Sequence, residues 1–194
     1  MITKTHVLVL FLAASTALAV GCREKPMAEP VVRYHPTDED RTRITVEAED
    51  FSGELERPMT LREDPDASGG KCLHVPGGSG TPGGTNPDTE LPYPARYGAA
   101  VFRFTVVEAG TYRFWGRKFW EDGCGNSLTL IVNDRLPVIF GQDGSYGHWE
   151  WIAATLFDLP AGENVIQILN REDGVMLDKF LLTTHLDFVP QGKE

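Results

Sequence analysis

Ala100-Val-Phe-Arg-Phe-Thr-Val106, a turn at Glu108-Ala109-Gly110, and Thr111-Tyr-Arg-Phe-Trp-Gly-Arg-Lys118 form the stretch on which the fold turns. Ala100, Phe102, Phe104 and Val106 alternate with Val101, Arg103 and Thr105. That period of two is the mark of a half-buried strand, because successive side chains leave opposite faces. Working outward, Ile44, Val46 and Ala48 alternate with Thr45, Glu47 and Glu49 in the same way. Further strands are expected at 127–133, 136–140, 149–156, 163–170 and 175–184. They are punctuated by Asn133-Asp134, Gly141 to Gly147, Pro160-Ala161-Gly162 and Glu172-Asp173-Gly174. Many short strands and no convincing amphipathic helix predict an all-β fold, an antiparallel β-sandwich. No internal repeat is visible.

The chain has 194 residues, with 18 Lys+Arg against 28 Asp+Glu and a formal net charge of −10. Such an acidic balance argues against nucleic-acid binding, which needs a basic patch to neutralise phosphates. Ten Phe, five Tyr and four Trp supply a core, which argues against extensive disorder. Long apolar runs are too few for a multi-span membrane protein.

The N-terminus reads as an address. Lys4 precedes a mostly apolar run from Val7 to Val20, too short to span a bilayer and typical of a secretory signal. Leu18-Ala19-Val20-Gly21-Cys22 resembles the lipobox of bacterial lipoproteins, with Ala19 where Leu is usual. The resemblance implies cleavage before Cys22, lipid on Cys22 and membrane contact through that anchor. Arg23 and Glu24 follow, instead of the Asp that in lipoproteins often signals inner-membrane retention, so an outer-membrane or surface location is expected. Loss of residues 1–21 removes one Lys and no acid, taking the net charge to −11. Residues 22–42 carry the anchor and a Pro- and charge-rich tether, and 43–192 form one β domain.

Pro76 to Gly98 holds six Gly and five Pro in 23 residues, either a mobile insertion or a ligand-contacting loop. With Cys22 lipidated, Cys72 and Cys124 are left, either as one disulfide or as two separate thiols. No catalytic motif is present. Gly77-Gly78-Ser79-Gly80 and Gly144-Ser145-Tyr146-Gly147 miss the nucleophile-elbow spacing, and the five His are scattered. Carboxylates suffice for a glycosidase pair, but their abundance in an acidic chain marks no cleft. The chain is not expected to be an enzyme.

Two signals concern binding. Glu47 and Glu49 lie two apart on a strand and so share a face, while Met176, Asp178, Phe180 and Leu182 share the parity of another. A carboxylate among large apolar side chains must be paired. Either Asp178 pairs with Arg or Lys and the Glu pair is solvated, or a calcium ion gathers the three. The second signal is Trp115, Trp120, Trp149 and Trp151, which either fill the core or stack on sugar rings. At least two of them are expected in the core.

Together, Glu47-Ala48-Glu49, the run Gly110 to Arg117, Asp122-Gly123-Cys124-Gly125-Asn126-Ser127, Trp149-Glu150-Trp151, Asn170 to Gly174 and Leu177 to Thr183 resemble a known family. They look like the calcium-binding, galactose-binding-like carbohydrate-binding modules of families six and thirty-five. The resemblance implies a jelly-roll sandwich and a structural calcium on Glu47, Glu49 and Asp178. It implies a carbohydrate partner at Trp115, Trp120, Asn126, Trp149, Trp151 and Glu172. These modules usually accompany a glycosidase or lyase, whereas here a lipid anchor precedes the module. The alternative is an envelope structural or protein-interaction domain on the same scaffold.

Overall fold

The computed structural model describes residues 42–82 and 98–193. The signal, Cys22, most of the tether and residues 83–97 of the Gly/Pro stretch lie outside the described residues. Ten strands are described: β1 (Arg43–Glu47), β2 (Thr60–Glu63), β3 (Lys71–Val75), β4 (Ala99–Val106), β5 (Gly110–Trp120), β6 (Ser127–Val132), β7 (Val138–Gly141), β8 (Glu150–Leu159), β9 (Gly162–Asn170) and β10 (Val175–Thr183). Every pairing among them is antiparallel. The larger sheet runs β2-β3-β10-β5-β8, with β1 also on β10, and the smaller runs β4-β9-β6-β7. Among the described residues there is no helix, as the sequence pattern predicts. The fold is an all-β sandwich. β2 and β3 were not expected, since Thr-Leu-Arg-Glu and Lys-Cys-Leu-His-Val carry no sustained alternation.

The core lies between the sheets and is centred on aromatic rings. Phe114 stacks on Phe180 at 5.4 Å and meets Phe140 and Phe157 edge-on at 5.3 and 6.4 Å. Phe102 meets Phe180 edge-on at 5.1 Å. Such offset and T-shaped pairs add to area burial because they match the ring quadrupoles. Gly116 makes room for this cluster: a Cβ there would come within 2.4 Å of the Phe140 ring.

β10 is the pivot. Along one edge it pairs first with β3 at Val175–Leu177 and then with β1 at Lys179–Thr183. Opposite, its register with β5 shifts between Leu177 and Lys179, so Asp178 is the extra residue of a β-bulge. The bulge changes which residues face in. Val175 and Leu177 are core on one side of it, Phe180 and Leu182 on the other, and Met176 belongs to a separate cluster with Ala67 and Cys72. The sequence expectation that Met176, Asp178, Phe180 and Leu182 share a face is therefore corrected: a strict period of two does not survive an inserted residue.

The cysteine alternative resolves against the disulfide. Cys72 and Cys124 are both free thiols, Cys72 buried on β3 and Cys124 exposed in the loop after β5. Burial is the first cause that pushes the Cys72 thiol up to about 12, so it is an inert packing residue.

Candidate functional site

Strand direction brings four connections to one end of the sandwich: residues 76–82 after β3, 121–126 after β5, 142–149 after β7 and 171–174 after β9. They are bonded to one another. Gly80 N–H donates to Asp173 Oδ2 at 2.6 Å, and Glu121 N–H to the Gly174 carbonyl at 3.0 Å. Gln142 N–H reaches the Asn126 carbonyl at 2.9 Å, and Gly147 N–H the Trp120 carbonyl at 2.8 Å. Gly125 abuts the Asp173 carbonyl so closely that a Cβ would stand 2.1 Å from it. These bonds make one rim of what would otherwise be four separate loops.

A fully buried lysine holds the third loop. Lys118 Nζ donates to the Ser145 carbonyl at 2.9 Å, to Ser145 Oγ at 2.7 Å and to Glu150 Oε1 at 2.5 Å, and lies 3.1 Å from Asp143 Oδ2. An ammonium has three protons to place, and here all are placed. The loop it fixes carries the exposed side chains of Tyr146 and His148. Sequence reading missed Lys118, although two adjacent cations in a strand are a usable signal, since one must face inward.

Of the residues expected to contact sugar, Asn126 and Glu172 come together on the rim. Glu172 Oε2 accepts from Asn126 N–H at 3.0 Å and from Ser127 Oγ at 2.7 Å, and Arg171 pairs with its other oxygen. Glu172 is thus spent on fastening the rim. Asn126 Nδ2 donates to the Gly123 carbonyl at 2.7 Å, and its Oδ1 is buried with no hydrogen-bond partner among the described residues, so it does not face a ligand. Glu121, Asp122 and Asp143 on the connections make the rim acidic.

The tryptophans divide in two. Trp120 is 0% exposed and Trp115 9%, so neither ring can face a ligand, and their expected stacking role is corrected to core packing. Trp149 and Trp151 are half-buried. Trp149 meets Phe119 edge-on at 5.7 Å, with the Arg117 guanidinium 5.1 Å from its ring centre. Trp151 Nε1 donates to the Gly192 carbonyl at 3.2 Å, which ties it to the C-terminal segment.

Glu47, Glu49 and Asp178 lie on the outer face of the larger sheet, around the Ser68-Gly69 turn. Asp178 is fully buried. Its Oδ1 accepts from Ser68 N–H at 2.8 Å and Ser68 Oγ at 2.9 Å, and its Oδ2 from Arg117 Nη1 at 2.7 Å. Ser68 Oγ also stands against Glu47 Oε2, so its single proton is shared between the two carboxylates, and Lys179 Nζ lies 3.0 Å from Glu47 Oε1. Glu49 Oε2 is buried without a hydrogen-bond partner among the described residues. Burial first, and then the nearby carboxylates, push the Glu49 carboxyl up; its own backbone hydrogen bond opposes them. Burial and Glu47 do the same to Asp50.

Among the described residues no group of three or more His, Cys, Asp or Glu side chains is arranged to hold a metal ion. All four oxygens of Glu47 and Asp178 already have protein partners. As arranged, the three carboxylates do not fit a calcium cage. Arg117, Lys179 and Ser68 were not anticipated from sequence.

No family model matches the chain, and no curated protein matches it in sequence. Solved structures do match. The family 35 carbohydrate binding module from Clostridium thermocellum superposes with a TM-score of 0.53 at 21% identity, over 73% of this chain and 98% of that one. A carbohydrate binding module from Cellvibrio mixtus lichenase 5A, solved with cellotriose, gives 0.51 at 18% identity, over 73% and 96%. The GH26-CBM35 β-(1,4)-mannanase of Podospora anserina gives 0.55 at 16% identity, over 77% of this chain but 29% of the enzyme. The chain thus spans under a third of that enzyme and nearly the whole of each isolated module. The described sandwich has the fold of family 6 and family 35 carbohydrate-binding modules.

Proposed function

We propose that the protein is a non-catalytic, carbohydrate-binding protein held at the cell envelope by lipid on Cys22. The observation that carries the reading is the match to two isolated binding modules over 98% and 96% of their lengths. The rim supports it locally: four connections fastened together present the exposed Tyr146, its hydroxyl near Gly123 of the neighbouring connection, with exposed His148 on the same loop. Rigid polar groups with an aromatic edge suit hydroxyl-rich ligands. The carboxylates of the rim favour neutral over acidic oligosaccharides, because like charges would have to approach in a weakly screened site. The lipobox-like Leu18 to Cys22 supports export and anchoring, in an outer membrane or at the surface.

A glycan array of neutral and acidic oligosaccharides tests the first part. Binding that falls about tenfold in Tyr146→Ala is expected, the size of one lost aromatic contact with a sugar ring. Silence across the array favours the second reading, an envelope interaction domain, which the burial of Trp115 and Trp120 and the tethering of Trp151 support. Labelled palmitate on Cys22, absent in Cys22→Ala, tests the anchor.

A further inference from the structure

We propose that this chain replaces a metal at the β1–β10 junction with its own cations: Lys179 and Arg117 neutralise Glu47 and Asp178, and the domain folds independently of calcium. The bulge makes this possible. By inserting Asp178 opposite the Arg117–Lys118 step of β5, it turns Asp178 and Lys179 to the outer face together. Lys179 is then the cross-strand neighbour of Glu47, and Arg117 the cross-strand neighbour of Lys179.

Both cations are nearly fully buried, Arg117 at 6% and Lys179 at 4% exposure. Further protons of both are placed. Arg117 donates to the Asp66 carbonyl at 3.0 Å and, through Nε, to the Gly192 carbonyl at 2.9 Å. Lys179 donates to the Lys193 carbonyl at 3.0 Å, and Lys193 Nζ returns to the Pro65 carbonyl at 3.1 Å. The C-terminal residues thereby close over the junction. A buried ion pair is tolerated only when its remaining donors and acceptors are satisfied in this way.

The charges agree. Lys179 and Arg117 offset Glu47 and Asp178, and Glu49 is left with its Oε2 buried and unbonded among the described residues. A divalent ion would have to expel Ser68 or Lys179 from oxygens they already occupy. Two buried cations beside it would oppose its entry.

The test is thermal unfolding of the full chain with millimolar calcium and with EDTA. Midpoints equal within about 1 °C are expected. A midpoint raised several degrees by calcium overturns the proposal. In EDTA, Lys179→Met is expected to melt about 10 °C lower, because Glu47 is left buried without its partner; an unchanged midpoint overturns the proposal. Should Lys179→Met not fold, Glu49→Gln decides: a midpoint equal to or above that of the wild type supports internal cations, and one that falls only when calcium is present overturns them.

Discussion

β5 serves two regions with two adjacent residues. Arg117 goes to the junction on the outer face, and Lys118 to the loop rim at the end of the sandwich. In the junction Glu47 and Asp178 are closed on Lys179 and Arg117, and the C-terminal segment lies over them. In the rim the internal bonds are just as dense, but they leave Tyr146 and His148 exposed on a surface that also carries Glu121 and Asp122. The difference separates holding from binding. A network buried under its own chain can only stabilise, whereas one that holds polar and aromatic side chains out to solvent can recognise.

The sharpest way to break this contrast is at Arg117. Arg117→Met is expected to cost about 3–5 kcal/mol, because it leaves Asp178 charged and buried without its cation. Urea unfolding should read that loss, and a loss below about 1 kcal/mol would show that the junction is not closed as described. Lys118→Met should come next, at about 2–4 kcal/mol, again from stranded partners. Unlike Arg117→Met, it should also raise amide exchange across 142–149, and exchange confined to the opposite end of the sandwich would refute the rim role.

Tyr146→Ala should behave in the opposite sense, with affinity for an array-positive sugar down about tenfold and stability changed by under about 1 kcal/mol. If stability falls as much as affinity, Tyr146 is part of the holding network and the contrast collapses.

The smallest effect concerns pH. Glu49 has a carboxyl pKa above its ordinary value of 4.5, so the folded state holds its proton more tightly than the unfolded state. Its contribution is therefore fully present below the unfolded pKa and is lost as pH rises through the folded one. Glu49→Gln should match or slightly exceed the wild type at neutral pH. That advantage should vanish near pH 4, and stability curves across this range would check it.

Much of the architecture was legible because it rests on alternation. Phe102, Phe104 and Val106 on β4 announce their buried face directly. β2 and β3 were not legible, since four or five residues with a Lys, Arg, Glu or His among them carry too little period to be separated from a loop. The site was legible in composition more than in geometry. Glu47 and Asp178 do meet, but their partners Arg117 and Lys179 come from strand register, which a single sequence does not state. The tryptophan cluster pointed at a ligand surface, yet Trp120 and Trp115 are core, because exposure depends on which sheet face a bulge or turn leaves outward. Asn126 entered through the resemblance to the binding modules. That its amide is spent on the Gly123 carbonyl and its oxygen is buried depends on the fold of that loop.

The bulge at Asp178 also bears on how the chain finds its fold. Its two halves bury opposite parities, Val175 and Leu177 before it, Phe180 and Leu182 after. A strand with one parity throughout could pair one step off and lose only its face. β10 has no such near-miss: an unbulged pairing with β5 that keeps Val175 and Leu177 buried turns Phe180 and Leu182 outward and Lys179 inward, and one that keeps Phe180 and Leu182 buried turns Asp178 into the core. A single extra residue in the central strand therefore acts as a proofreading mark for the pairing of the whole larger sheet.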